Sequence, residues 1–413
     1  MINSHFILYF VVIIIIIYLI ISLVIRLKMR FWRTQPVFHL YNLKYWLKPP
    51  GFINKQPPPV NKYVNLVNNK LINLSTQADN ENNGEKVKIQ KICKFIQDYY
   101  VLHPTASYKP SQEDILAYLQ STNHTSFFNV YQEPTYLLEN GVPSGTLDEE
   151  IIGVASARVL NVTFYPKRKK NKQIAFPAYY VDNLCVKPAY RKKDIPPQMI
   201  QTFYYNVSRT NTKVNAYMFK REGKLTAIVP LVYYNTHSFD ITHFQTDVLL
   251  NPSMTLLDIK EQQLNVLVNF IKDQQPNFDC TILPDVSSFL HLIKLEKLLA
   301  YGILLGNELI AAYIFRPLEL YYEGKKTVEC MAVISNCKTS EVLVAGFNMS
   351  LLRCKMKSGA DILLLEGTAH SEPIIKALLK NSTVFKKFTS PTAFYLYNYA
   401  CYSFKKERTL LIY

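Results

Sequence analysis

Spacings that would build a metal centre or a disulfide frame are missing from this chain. Its seven cysteines (at 93, 185, 280, 330, 337, 354 and 401) are scattered, none forms a Cys-x-x-Cys pair, and no histidine cluster accompanies them. That excludes a zinc site and a disulfide scaffold and implies reduced thiols facing the cytosol. Glycine is scarce, at 12 of 413 residues, while Ile, Asn, Lys and Tyr are abundant. The bias fits AT-rich coding and carries no functional signal. No internal repeat is clear. Acidic residues are in deficit, 31 against 47 Lys plus Arg, for a net charge of +16. Such a balance draws a protein to nucleic acid, anionic membrane or phosphorylated ligands. No run reads as a nucleic-acid motif, which leaves the other two.

What is present begins with residues 6–25, uncharged and almost wholly apolar. About 20 such residues cross a bilayer core as a helix. No small-residue cleavage site follows, so the segment reads as an uncleaved anchor. Arg26, Lys28, Arg30 and Arg33 come next, against only the α-amine and His5 on the other side. The positive-inside rule then places the body in the cytoplasm, on a single-pass membrane anchor. The four cations can also meet anionic lipid, at about 1 kcal/mol each.

The stretch at 180–197 organises the rest. Tyr179, Tyr180, Val181, Leu184 and Val186 predict a strand over 174–186. Lys187-Pro188 breaks it into a basic turn with Arg191, Lys192 and Lys193. Pro196 and Pro197 then suit the first turn of a helix running on from Gln198. Strand, basic loop, helix is a geometry that binds phosphate, and it is equally a solvated basic turn.

The wording of this stretch tips the balance. Asn183-Leu184-Cys185-Val186, followed by Arg191-Lys192-Lys193-Asp194-Ile195-Pro196-Pro197, resembles the acyl-CoA-binding segment of the N-myristoyltransferase family, within the GNAT superfamily. Three further places resemble that family in the right order: Phe31-Trp32-Arg33-Thr34-Gln35-Pro36-Val37; Ile96-Gln97-Asp98-Tyr99-Tyr100-Val101 with Ser107-Tyr108-Lys109-Pro110-Ser111; and Phe394-Tyr395-Leu396-Tyr397-Asn398-Tyr399. The resemblance covers nearly all of 29–413 and is diffuse in the middle of the second half.

The resemblance implies an α/β fold with a mixed sheet. Two GNAT-like halves would form one saddle-shaped sheet flanked by helices, preceded by one transmembrane helix. The divisions are 1–28 for the anchor and basic flank, 29–245 for an acyl-CoA-binding half and 246–413 for a peptide-binding half. It implies myristoyl-CoA as co-substrate, no permanently bound cofactor, protein N-termini as acceptors, membrane contact through residues 6–25 and no nucleic acid. Arg30, Phe31 and Trp32 would lie over the CoA, although aromatic residues there also suit a headgroup belt. Leu184, Cys185, Val186, Arg191, Lys192, Lys193, Asp194, Ile195 and Pro196 would complete its site.

The backbone N–H groups of Asn183 and Leu184 would hold the thioester oxygen as charge develops, and the terminal carboxylate of Tyr413 would act as base. An apolar tail such as 409–413 also suits simple core docking. Residue 2 is Ile, not Gly, so the chain is not its own acceptor by that route. Three departures stand out. Asp194 occupies a usually basic place, Asp182 replaces an Asn, and Met218-Phe219-Lys220 stands where the family has small residues. A catalytically weak homologue that binds acyl-CoA or serves as a structural membrane protein is therefore the alternative to an acyltransferase.

Along the remaining chain, periodicity predicts helices at 87–100, 112–119, 254–272, 286–298 and 342–358. Strands are predicted at 151–164, 300–315 (a pair turning at Gly306-Asn307), 328–335, 361–365 and 394–402, with two short strands within 213–229. Tyr234 to Phe239 is expected as a loop. The basic loop 166–172 reads as a hairpin tip, and 73–85 as a mobile connection.

Overall fold

A computed structural model of the chain describes residues 4–413 except 49, 75–82, 102, 121–122, 140–141, 166–172, 224–225 and 247–249. The basic loop 166–172 and most of 73–85 lie outside the described residues.

The β-branched and aromatic runs form one mixed sheet, fifteen-stranded among the described residues. Its main path runs Thr409–Leu411, Cys280–Leu283, Val142–Phe164, Ile174–Val186, Ala216–Glu222, Phe385–Tyr397, Val232–Asp240, Ile362–Glu366, Lys325–Ser335, Glu308–Tyr322, Leu299–Leu305 and Met254–Ile259. The strand Ile174–Val186 has the bounds its composition predicts. It lies antiparallel to Val142–Phe164 but pairs in parallel with Ala216–Glu222 only from Ala178↔Ala216 to Tyr180↔Met218. Beyond those three pairs the two strands part, and the gap between them holds a cavity.

Helices cover the sheet. Ile195–Thr210 buries Met199, Phe203 and Val207 against it. A Cβ at Gly153 would come 2.7 Å from the Met199 sulfur, so this close seating of helix on strand requires glycine. Ser340–Ser358 packs Phe347 and Leu351 against Tyr313 and Phe315 on the other half of the sheet. Gln112–Gln120 starts with a reciprocal cap: Asp114 N–H donates to Ser111 Oγ at 3.1 Å, and Ser111 N–H donates to Asp114 Oδ2 at 2.7 Å. Ser4–Lys28 is an apolar helix. Its Leu8–Lys28 stretch has mean hydropathy 3.3 and is long enough to cross a membrane.

Several expectations are corrected. Residues 254–272 are not one helix: Met254–Ile259 is a strand with a ready partner in Leu299–Leu305, and only Leu264–Gln274 is helical. Residues Tyr234 to Phe239 lie inside Val232–Asp240, hydrogen-bonded on both sides, and are not a loop. Among the described residues of 213–229 only Ala216–Glu222 is a strand, and Ile228 makes an isolated bridge with His39. The strand placed at 394–402 starts earlier and stops at Tyr397, because Asn398 turns the chain with φ of 62°. The helix Glu372–Lys380 and the strand Cys280–Leu283 went unanticipated.

Candidate functional site

The site is built where Ile174–Val186 and Ala216–Glu222 separate. A cavity of about 310 Å³ fills the gap, with Trp32, Asn183, Leu184, Phe203, Phe219 and Lys220 among its walls. It falls at the small end of the ~300–1,000 Å³ range of ligand pockets and is mostly apolar, as such pockets are.

One wall carries a bulge. The register between Val142–Phe164 and Ile174–Val186 slips from Val154↔Cys185 to Ser156↔Asp182, so Asn183 and Leu184 together face Ala155. Asn183 sits at φ of 54°, a left-handed conformation that Asn tolerates better than most residues. Its side-chain amide donates to Ser156 Oγ at 2.8 Å, which holds the bulge in shape. A bulge re-aims backbone groups away from the ladder. Asp182 also accepts at this point: its Oδ1 takes the Asn183 N–H at 2.8 Å and the Tyr100 hydroxyl at 2.9 Å.

The opposite wall opens on a buried charge cluster. Lys220 Nζ donates to Glu366 Oε1 at 2.7 Å and to the Tyr413 phenol at 2.7 Å, and lies 3.3 Å from Glu329 Oε1. The Tyr413 hydroxyl lies 3.1 Å from Oε1 of both glutamates. Arg316 Nε donates to Glu329 Oε2 at 2.8 Å, and Arg316 Nη1 reaches the main-chain oxygen of Tyr413 at 3.4 Å. Two carboxylates so close cannot both ionise freely. Glu366 is the one that retains a proton: burial first, then Glu329, outweigh Lys220 and raise it to about 7. Burial opposes the charge on Glu329 too, but Arg316 and Lys220 hold it well below the usual carboxylate range. Lys220 stays an ammonium, because Glu366 and Glu329 overcome its burial.

No family model matches the sequence, and no curated protein matches it. Solved structures do. Saccharomyces cerevisiae N-myristoyltransferase with bound myristoyl-CoA aligns at a TM-score of 0.64 and 14% identity, over 93% of this chain and 99% of that one. A second yeast N-myristoyltransferase structure with bound myristoyl-CoA gives 0.65 and 14%, over 93% and 94%. The fold is that of N-myristoyltransferase.

Within this N-myristoyltransferase fold the residues singled out by sequence divide. Asn183, Leu184 and Trp32 line the cavity. Trp32 stacks on Phe219, centroids 5.6 Å apart, and Phe31 braces Trp32 edge-on at 5.2 Å. Phe219 thus lies between Trp32 and Tyr395, stacked on the latter at 5.3 Å. Arg30 is exposed and outside the cavity wall. Cys185 and Val186 send their side chains into the core, so they can offer a ligand only backbone. Burial pushes the Cys185 thiol up to about 12, far from reactive.

In the basic turn, Arg191 Nε donates to Val186 O at 3.2 Å and Lys193 Nζ lies 4.3 Å from the Tyr190 ring centroid; both residues and Lys192 are exposed. Asp194 precedes the helix Ile195–Thr210 at φ of 55° and makes no side-chain cap bond. Pro196 and Pro197, in the first turn, carry no N–H. This helix start therefore offers fewer backbone donors than an ordinary one, and an anion there must rely on Arg191, Lys192 and Lys193. Tyr413 is 3% exposed and anchored by the parallel pairing of Thr409–Leu411 with Cys280–Leu283.

Sequence reasoning missed Lys220, Glu329, Glu366 and Arg316 as one group. Their only signal was charge inside otherwise apolar strand runs.

Proposed function

We propose that this chain is a membrane-anchored N-acyltransferase that moves a long-chain acyl group, myristoyl, from acyl-CoA to an amine. The observation that supports it is the Asn183–Leu184 bulge at the wall of an apolar cavity roofed by Trp32, in a fold shared with N-myristoyltransferase. The thioester carbonyl sits at the bulge and the pantetheine lies in the gap between the strands. The phosphates meet Arg191, Lys192 and Lys193. The amine nitrogen attacks the carbonyl carbon, the new C–N bond forms, and the C–S bond breaks with CoA leaving as the thiolate. The ammonium proton passes to the carboxylate of Tyr413 and then to the thiolate. Backbone donors at the bulge are worth about 2.7–4 kcal/mol each in such a transition state. The helix Ser4–Lys28 is the anchor, with the body on the cytoplasmic side, and a protein N-terminal glycine is the acceptor the resemblance implies.

One observation favours the second reading, a protein that binds acyl-CoA without transferring it. The Asn183 N–H is already taken by the Asp182 carboxylate. Calorimetry on the full chain in nanodiscs, comparing myristoyl-CoA with acetyl-CoA, tests the shared part of both. Low-micromolar binding of the long chain alone is expected, and no binding of either would refute both readings. Single-turnover transfer then separates them.

A further inference from the structure

Arg158 is a buried cation held between two aromatic faces, with the charge of Asp182 acting on it but no ion pair to it. It projects from Val142–Phe164 opposite Tyr180, and the residue is 7% exposed. Its guanidinium carbon lies 4.8 Å from the Tyr118 ring centroid and 5.2 Å from that of Tyr180. Its Nη2 is sealed from solvent and has no hydrogen-bond partner among the described residues. A buried guanidinium is retained when something pairs with it.

Beside it lies a cavity of about 70 Å³, lined by Tyr108, Tyr118, Arg158, Asp182, Asn183 and Arg316 among others. Most charges around it are spoken for: Arg316 with Glu329, Lys297 with Asp114, and Glu319 with Lys326. Arg158 and Asp182 are the two lining charges without an ion-pair partner among the described residues. Asp182 and Asn183 also line the larger cavity, so the two spaces meet at the bulge.

We propose that this cavity is the acceptor subsite and takes the zwitterion of a small α-amino acid, its carboxylate on Arg158 and its ammonium on Asp182. The inference rests on the acyltransferase reading and narrows its acceptor from a protein N-terminus to a free amino acid. Size sets a limit: about 70 Å³ is several times the ~10–15 Å³ that a single water requires, room for a small amino acid rather than a bulky one. Charge sets the class. A guanidinium holds a carboxylate through paired donors that an ester or amide cannot satisfy. Asp182 takes one proton from the ammonium, and the freed amine, beside the bulge, attacks the thioester carbonyl carbon. The C–N bond forms and the C–S bond breaks, a second proton passes from nitrogen through the Tyr413 carboxylate to the CoA thiolate, and the products are an N-acyl amino acid, CoA as the thiol and the proton that Asp182 returns to solvent.

The carboxyl group of Tyr413 offers the same chemistry from a second source. Tyr413 and Arg158 line one narrow space on the far side, and Tyr413 O is near Arg316. The experiment must separate the two. Binding of glycine, glycinamide and a Gly-initiated peptide to the full chain in nanodiscs is measured by saturation-transfer NMR, with and without myristoyl-CoA. Wild type is compared with Arg158→Gln, Asp182→Asn and a semisynthetic chain ending in a Tyr413 amide.

Glycine binding at least tenfold tighter than glycinamide, lost in Arg158→Gln and unchanged by the terminal amide, is the expected result. Glycine binding only after amidation would mean that the protein's own terminus occupies Arg158, and overturns the proposal. So would equal binding of glycine and glycinamide, preference for the peptide, or no glycine binding in any state. The ligand panel on wild type decides the matter even if Arg158→Gln does not fold. Failure of myristoyl-CoA to bind would sink the acyltransferase reading separately, since glycine binding is read without it.

Discussion

The carboxylate of Asp182 accepts the N–H of its own neighbour, Asn183, at 2.8 Å. That N–H is one of the two donors assigned to the thioester oxygen, so an anion now stands where an oxyanion would form. Like charges at that distance repel strongly in a site walled from water. Asp182 must leave the donor before acylation, and Asp182→Ala should free it. With carbonyl-labelled myristoyl-CoA bound, the thioester stretch should move to lower frequency in Asp182→Ala than in wild type, because the carbonyl gains a donor. An unshifted band would mean that the carbonyl lies elsewhere.

The phosphate loop should behave as a side-chain site. With Pro196 and Pro197 removing two first-turn donors, Arg191→Ala combined with Lys193→Ala should weaken myristoyl-CoA by roughly a hundredfold or more at low salt, since each of the two charge-assisted bonds is worth about 1.5–3 kcal/mol. The salt dependence of affinity should flatten as well. Calorimetry at two ionic strengths reads both. Asp194→Gly should preserve affinity, because glycine takes the φ of 55° at that position without strain. A large loss there would show that the carboxylate itself orders the loop.

Glu366 makes stability depend on pH in a defined window. Its native value of about 7 lies above the ordinary 4.5. The native state therefore holds a proton that the unfolded chain releases, and this favourable term is lost as pH rises from 4.5 to about 7. Gln at this position mimics the protonated acid at every pH. Glu366→Gln should match wild type near pH 4.5 and gain on it up to pH 7, by about 3 kcal/mol at the top. Above pH 7 the difference should level off. Lys220, Glu329, Tyr234 and Tyr413 face this group, with Glu222 and Arg316 behind Lys220 and Glu329. Lys220, Arg316 and Tyr413 do not titrate in the window, and Glu329 does so only below it. His39, His237 and His370, all lowered by burial, titrate in both proteins and cancel in the difference. Urea denaturation of both proteins from pH 4.5 to 8 measures it, and a constant offset would put the buried proton elsewhere.

What the sequence revealed and what it hid follow from the range of the interactions. Ile174–Val186 was legible to the residue because β-branched and aromatic side chains sit between a basic loop and a break at Lys187-Pro188. The helix Gln112–Gln120 was legible because Ser111 and Asp114 cap it locally. Met254–Ile259 was not, since its strand state comes from Leu299–Leu305, some 45 residues on. In the site, the Asn183–Leu184 bulge and Trp32 could be read from local wording. The Lys220–Glu366 contact joins residues 146 apart, and the orphaned Arg158 is visible only once burial is known. No local pattern encodes either one.

The position of the end of the chain is the sharpest test of the proposed chemistry. Thr409–Leu411 is registered against Cys280–Leu283, Ile412 N–H donates to Ile282 O at 2.9 Å, and the Tyr413 phenol is tied to Lys220. The tail is thus held along its length by the sheet and by Lys220. Adding a glycine after Tyr413 would move it by up to about 3.3–3.6 Å, with the ties upstream intact. A displacement of even about 1 Å can cost roughly a hundredfold where positioning carries the rate. Acyl-CoA binding should survive, because the bulge and the basic turn lie on other strands. Tyr413→Phe, by contrast, should leave the carboxylate in place and cost stability through Lys220 and the two glutamates. Single-turnover acyl transfer with intact, extended and Phe-terminated chains reads the difference. Loss of transfer in the extended chain alone supports the carboxylate as base. Equal rates from the intact and extended chains would take that role away from it.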